Sequence, residues 1–321
     1  MNYKPILIVA GEPNSIFLEI FFKSLKIKKY KSPLLLICSK RLLIKNMNKF
    51  RFRKKINLIN SADLNKLSLK KDVINLIDIK LDLKVSLKKN TITSQNYIKE
   101  CFKIAFKIIK NNITYKFING PISKDKFLNK KFLGMTEYIA NEFKVKNKAM
   151  LIYNEKLSVC PITTHLPLKS VTTKIKKKLI IEKIKLIENF YKKNLKIKPK
   201  IAVLGLNPHC ESVDKFNEDK SIIKPTINLL KKLSFKISGP YPADTMFLKN
   251  NRKKFNVIVG MYHDQVLTPL KTLYEYDAIN ITLGLPFLRI SPDHGPNEKM
   301  VGKNISNPLS LKKALLFLDK N

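Results

Sequence analysis

The stretch GMYHDQVLTPLKTLYEYDAINITLGLPFLRISPDHG, residues 260–295, decides how the rest of the chain is read. It begins at the end of VIVGMY (Val257–Tyr262), an unbroken apolar run that closes on the pair His263–Asp264. Strands covered on both faces read as continuous apolar runs, and parallel strands deliver side chains at their carboxyl ends. AINITLGL (Ala278–Leu285) repeats the pattern, with Asn280 inside it and Arg289 just beyond. With Lys271, Asp293 and His294, the span gathers imidazole, ammonium, carboxamide and guanidinium groups, the set assembled around a small anionic substrate. The reading is a site carried by a sheet.

The same alternation extends outward in both directions. PILIVA (Pro5–Ala10) reads as a strand closed by the turn Gly11–Pro13, and a helix with Ile16, Ile20 and Leu25 follows. LLLIC (Leu34–Cys38), YKFING (Tyr115–Gly120), AMLIY (Ala149–Tyr153), LSVCPIT (Leu157–Thr163) and IAVLGL (Ile201–Leu206) read as further strands. Apolar residues at helical spacing predict helices over Ser94–Lys110, Met135–Phe143, Lys174–Lys193 and Ser221–Leu233. A closing helix spans Asn307–Leu318, with Asn307 as N-cap and Pro308 in the first turn. Asn154–Glu155 marks a hairpin between two of the strands. Residues Arg41–Lys89, lysine-rich with short apolar runs, yield no assignment. Strands alternating with helices predict an α/β fold with a largely parallel sheet.

Composition narrows the function. A chain of 321 residues with 44% hydrophobic content holds two domains or one large α/β unit. No apolar run reaches the roughly 18–20 residues of a membrane helix. MNYKPILIVAGEP lacks the pattern of a signal peptide, so a cytoplasmic protein with no membrane partner is expected. Cys38, Cys101, Cys160 and Cys210 have no C-x-x-C spacing and read as reduced thiols. Cys210 alone, next to His209, is positioned as a ligand. The formal charge of +39 is nearly all lysine spread along the chain, a bias of solvated faces rather than a nucleic-acid footprint. No specific nucleic-acid partner is expected. Only nine glycines occur, most of them in turns, where they mark loops that need positive φ or close backbone approach.

Three of the four histidines share a context. His165 in ITTHLP, His209 in GLNPHC and His263 in GMYHDQ each follow an apolar strand. Imidazoles from separate strand ends build divalent metal sites with open positions, although a lone histidine after a strand also serves as a capping hydrogen bonder. Asp244, in GPYPADTMF, suits a metal ligand, a carboxylate behind one, a general base, or an Asx turn. Lys271 and Arg289 suit phosphate or carboxylate. Asn280, polar within an apolar strand, needs a partner if buried, and a ligand can be that partner. G-x-G-x-x-G is absent.

The ordered set GEP, NGPISK, TEYI, TTHLPL, GLNPH, GPYPADT, MYHDQ…PLK, INITLGLPFLR and DHG resembles the 4-hydroxythreonine-4-phosphate dehydrogenase family over nearly the whole chain. The likeness is weakest from Arg41 to Ser94. It implies an isocitrate/isopropylmalate-dehydrogenase-like fold of two α/β domains, in α/β/α layers with a cleft between them. An NAD-binding domain would comprise residues 1–125 plus 285–321, and a metal, substrate and dimerisation domain residues 126–284. It implies one divalent metal ion per site (Zn, Mg or Co) on His165, His209 and His263, the third ligand coming from the partner in a homodimer with the active site at its interface. Thr136, Lys271, Asn280 and Arg289 fall on substrate-binding positions, and His294 and Gly295 lie in the cofactor loop, DHGPNEKMVGKNISNP.

The implied reaction oxidises and decarboxylates 4-phosphooxy-L-threonine with NAD, giving 3-amino-2-oxopropyl phosphate for pyridoxal 5'-phosphate (vitamin B6) biosynthesis. Asp244 or a group linked to Lys271 takes the hydroxyl proton, and the metal acts as Lewis acid. Two departures stand out. Met135 replaces the family's histidine before the threonine of TEYI, and methionine cannot donate a strong hydrogen bond. GEPNSI replaces a GEPAGIG-like turn. Met135 keeps open a paralogous dehydrogenase acting on another phosphorylated or carboxylated hydroxy acid. A three-histidine hydrolase would need no NAD, and a basic nucleic-acid binder would hold DNA at physiological salt without metal.

Overall fold

The computed structural model describes residues 3–61, 67–82, 92–123, 132, 134–212, 216–293 and 295–320. The chain divides into two compact units, Met1–Met135 with Pro286–Asn321, and Thr136–Leu285. Elements are numbered in chain order.

In the first unit the strands β1 (Ile6–Val9), β2 (Leu34–Cys38), β3 (Ile56–Leu58), β4 (Ile74–Asp78), β5 (Lys116–Asn119) and β12 (Leu288–Pro292) lie in the order β3-β4-β2-β1-β5-β12. Every pairing is parallel. Strands β1 and β2 are buried along their length, as uninterrupted apolar runs require, and β5 is buried too, with Lys116 and Asn119 at its two ends. Helices α1 (Phe17–Ile27), α2 (Lys40–Lys49), α3 (Ile92–Lys110) and α9 (Leu309–Lys320) surround this sheet. Helix α3 packs on β1 and β2, and α9 on β12, β1 and α1. Asn307 Oδ1 accepts the Leu309 N–H at 2.9 Å and starts α9.

The unassigned stretch Arg41–Lys89 supplies α2, β3 and β4. Asn75 is fully buried inside β4, its amide bonded to the Leu34 and Lys70 carbonyls and its Oδ1 to Lys70 N and Asn57 Nδ2. A strand with asparagine at its centre does not read as an apolar run.

Along this sheet the chain departs from β1 in both directions, to β2 on one side and β5 on the other. At that switch point the turns after β1 and β5 interlock. Gly11 has φ +83°, and a Cβ there would come within 2.5 Å of the Pro121 carbonyl oxygen. Glu12 N–H donates to that same oxygen at 2.9 Å. The GEPNSI departure has a local account. Ser15 Oγ donates to the Glu12 carbonyl at 2.7 Å, and Phe17 is buried where its ring meets the face of Gly120 and stacks on Phe21.

In the second unit β6 (Ala149–Tyr153), β7 (Ser158–Pro161), β8 (Ile201–Leu204), β9 (Ile237–Tyr241), β10 (Val257–Gly260) and β11 (Ile279–Leu283) lie in the order β11-β6-β7-β10-β8-β9. Strands β7, β10, β8 and β9 are parallel. The β6–β7 hairpin about Asn154–Glu155 reverses direction, so β6 is antiparallel to both β7 and β11. The sheet is thus largely parallel, as expected, with β6 reversed by the expected hairpin. Helices α4 (Met135–Glu142), α5 (Lys177–Phe190), α6 (Lys224–Lys232), α7 (Ala243–Met246) and α8 (His263–Tyr274) accompany it. The expected helix ends shift: α5 passes into a π turn at Tyr191–Leu195, and a π turn at Asp219–Ile223 precedes α6. The core beneath α8 joins Val159, Ala202, Leu204 and Ile258 to Val266, Leu267 and Leu270. Among the described residues no helix is long and apolar enough to cross a membrane.

Candidate active site

The parallel order β7-β10-β8 explains why three histidines share one sequence context. In register, Pro161 faces Gly260 and Val203 faces Val259, so the three strands end side by side. His165, His209 and His263 each lie just beyond one of these ends. The ladder continues past β7, where Ile162 N–H donates to the Gly260 carbonyl at 2.8 Å and Thr163 Oγ1 to the Met261 carbonyl at 2.7 Å.

His263 opens α8, and its ring lies 5.9 Å from that of His165, centroid to centroid. Asp264 Oδ1 sits 2.7 Å from His263 Nδ1. A carboxylate on Nδ1 orients the imidazole and leaves Nε2 as the ligating nitrogen, a common arrangement behind metal-bound histidine. His209 is exposed, in a turn where it and Cys210 both hold positive φ (54° and 61°). Such backbone is uncommon for side chains other than glycine and persists only where its surroundings impose it. Asp219, 1% exposed, bonds the residues just ahead of this turn. Its carboxylate accepts Leu206 N–H at 2.8 Å, Asn207 N–H at 3.1 Å and Asn207 Nδ2 at 3.0 Å. Gln265 fastens the neighbouring strand end, accepting Met261 N–H at 2.7 Å and donating to the Gly205 carbonyl at 2.7 Å. Among the described residues no three metal-ligating side chains converge within one chain.

Beside His165 lies a cleft of about 260 Å³ whose lining includes Thr136, Glu137, Lys148, Thr164 and Lys183. Thr136 Oγ1 is 3.4 Å from Thr282 Oγ1. Lys183 donates to the Lys148 carbonyl, and burial lowers its pKa. Oε2 of Glu137 and Oδ1 of Asn280 are buried and accept no hydrogen bond among the described residues. Asn280 sits in β11 between buried isoleucines, the unmet polar group expected of it. Met135 is buried at the start of α4.

The remaining predicted residues are distributed more widely. Lys271 is exposed on α8. Asp244 is exposed on the short helix α7 rather than in a turn. It lies near the His209 loop, since its charge, after burial and Asp219, helps push the Cys210 thiol pKa up. Among the described residues Cys210 joins no metal-ligating group. Arg289 belongs to the first unit, 2% exposed, with Nε donating to Asn119 Oδ1 at 2.8 Å. Gly295 is exposed there, and His294 lies outside the described residues. Asp219 escaped the sequence reading, whereas Glu137 and Gln265 lie within TEYI and MYHDQ without having been singled out. The last two carried a signal, their places next to Thr136 and Asp264; Asp219 sits among ordinary charged residues.

The family model for pyridoxal phosphate biosynthetic protein PdxA matches residues 29–318. The chain belongs to the PdxA family. It is 37% identical to 4-hydroxythreonine-4-phosphate dehydrogenase of Sulfurihydrogenibium sp., over 97% of this chain and 96% of that one. The crystal structure of 4-hydroxythreonine-4-phosphate dehydrogenase from Klebsiella pneumoniae superposes with a TM-score of 0.82 at 27% identity, covering 98% of both chains. Isocitrate dehydrogenase from Methylococcus capsulatus shares the fold alone, with a TM-score of 0.50 at 10% identity over 97% of this chain and 83% of that one. This PdxA family member is thus an α/β protein of the isocitrate-dehydrogenase-like class, and an oxidoreductase by its kinship.

Proposed function

We propose that the chain is an NAD- and metal-dependent dehydrogenase that converts 4-phosphooxy-L-threonine to 3-amino-2-oxopropyl phosphate and CO2 in pyridoxal 5'-phosphate synthesis. The observation that carries the proposal is the pairing of His165 and His263 at adjacent strand ends, with Asp264 on the Nδ1 of His263. Two imidazoles so placed suit a borderline divalent ion. His209, exposed just beyond the residues that Asp219 bonds, is the third ligand, delivered by a second copy of the chain. We therefore read the active assembly as a homodimer with its sites at the interface.

When bound, NAD accepts the hydride and the metal supplies Lewis-acid stabilisation to the oxygen that gives up its proton. The chain's own residues do the rest. Thr136 and Asn280 offer hydroxyl and carboxamide groups to the substrate, and the exposed ammonium of Lys271 balances its anionic ends. Arg289, buried with Nε donating to Asn119 Oδ1, is the guanidinium of the substrate-binding set. Asp244, or a group linked to Lys271, takes the hydroxyl proton. The β-keto acid so formed loses its carboxylate as CO2. Gly295 and the loop that follows it would hold NAD.

The test is NADH absorbance on mixing the purified protein with 4-phosphooxy-L-threonine, NAD and a divalent ion. Formation that a chelator abolishes and His263→Ala loses is expected. NADH formed only from a hydroxy acid phosphate lacking the amino group would move the reading to a paralogous dehydrogenase. Protein that binds neither metal nor NAD would sink the dehydrogenase reading.

A further inference from the structure

In the first unit the loop after β12 is fastened at points that the reaction described above does not use. Ile16 N–H donates to the Pro296 carbonyl at 3.2 Å, at the start of α1. Gly302, at φ +77°, lies under Lys49 of α2, where any Cβ would run into the ammonium. The strongest tie is ionic. Glu19 of α1, 3% exposed, accepts Ser306 N–H at 2.7 Å and the Lys23 ammonium at 2.9 Å through one oxygen. Lys23 spends its other two N–H groups on the carbonyls of Asn304 and Ser306, each at 2.9 Å. Glu19 Oε2 and Ser306 Oγ are also buried, and neither has a hydrogen-bond partner among the described residues.

This is a poor device for stability. A buried carboxylate with half its acceptor capacity unused carries a desolvation penalty, and apolar residues of similar volume generally hold such a place as well or better. What the ion pair does supply is register. It fixes Asn304 and Ser306 against α1 while the intervening residues face outward: Gly295, Asn297, Lys299 and Lys303 are all exposed. Asn297, Gly302 and Asn304 all hold positive φ (49°, 77° and 60°), a conformation that asparagine and glycine adopt readily and that turns the loop at three points. A loop held in such a shape by buried charge, and presenting backbone and ammonium groups to solvent, is organised in advance for an anionic ligand.

We propose that Glu19 and Lys23 are positioning residues for the dinucleotide, acting through the loop 295–306 without touching it. The inference rests on the placement of NAD at this loop given under the preceding heading. Dissociation constants for NAD and for the phosphorylated substrate, measured by calorimetry on the metal-loaded protein, test it with Lys23→Met and Glu19→Gln. Amide hydrogen exchange over residues 297–306 is followed alongside. Lys23→Met should weaken NAD about tenfold, leave substrate affinity unchanged and speed exchange in the loop. Glu19→Gln, which keeps an acceptor for Ser306 N–H, should weaken NAD less, and it decides the matter if Lys23→Met does not fold. Unchanged NAD affinity in a folded variant overturns the proposal, as does equal weakening of both ligands with a lowered melting temperature. Wild-type protein that binds no NAD overturns the cofactor's placement and this role together, whereas tight wild-type binding with indifferent variants overturns this role alone.

Discussion

In the first unit, polar groups at the carboxyl edge of the sheet are engaged with one another. Arg289 bonds Asn119, Asn119 Nδ2 bonds the Gly120 carbonyl at 2.9 Å, and the turns of Gly11 and Gly120 close on each other. In the second unit the corresponding edge is built the other way. Its chemical groups, His209, Asp244, Asp264 and Lys271, are exposed, while buried Asp219 and half-buried Gln265 bond the backbone beside them. The difference separates two tasks. One edge is bonded within itself; the other presents imidazole, carboxylate and ammonium groups outward. Stability and chemistry should therefore respond to different residues.

The largest effect is expected on the presented side. His263→Ala should lower NADH formation by roughly a thousandfold while leaving the melting temperature nearly unchanged; a large loss of stability would show the histidine to be part of the scaffold instead. Asp219→Ala attacks the support. It strips two backbone N–H groups and an amide of their acceptor in a buried place, and should remove about 2–4 kcal/mol in denaturant titration. It should also reduce activity by freeing the His209 turn. A variant as stable as wild type would erase the distinction between support and site.

Asp264→Asn sharpens the same contrast. The carboxylate is 80% exposed, so stability should hold, yet metal affinity should fall about 10- to 100-fold in a competition titration. Equal affinity would mean that Asp264 does not orient His263. The smallest effect concerns Lys183 in the cleft. Burial depresses its pKa below the ordinary 10.5, so the folded chain sheds this proton before the unfolded chain does. Stability from this group is therefore gained as pH rises from the depressed value to about 10.5. Comparing wild type with Lys183→Met in urea across that window should show the difference moving in favour of wild type with pH, and a flat difference would contradict the assignment.

The sheet was legible where strands are unbroken apolar runs, as in PILIVA, LLLIC, IAVLGL and VIVGMY. It was illegible at β3 and β4, where Asn57 and Asn75 satisfy each other across neighbouring strands and interrupt the pattern. The one reversed strand, β6, was legible from the hairpin at Asn154–Glu155. The histidines stood out because each follows a strand, and the register of β7, β10 and β8 turns that repetition into proximity. Asp219 gave no sign. It works on Leu206 and Asn207 across a dozen intervening residues, and in sequence it is one acidic residue among several. Glu19 was hidden for the same reason, since its partner Ser306 lies near the other end of the chain.

The central claim, a metal held by His165 and His263 of one chain and His209 of another, is tested most directly by subunit mixing. His209→Ala and His263→Ala are purified separately, then unfolded together and refolded with metal, and NADH formation is measured. Each variant alone should be inactive. In the mixture, half the dimers are hybrids and each hybrid carries one intact set of ligands, so about a quarter of wild-type activity should return. A mixture as inactive as its components would place all three ligands in one chain and contradict the account.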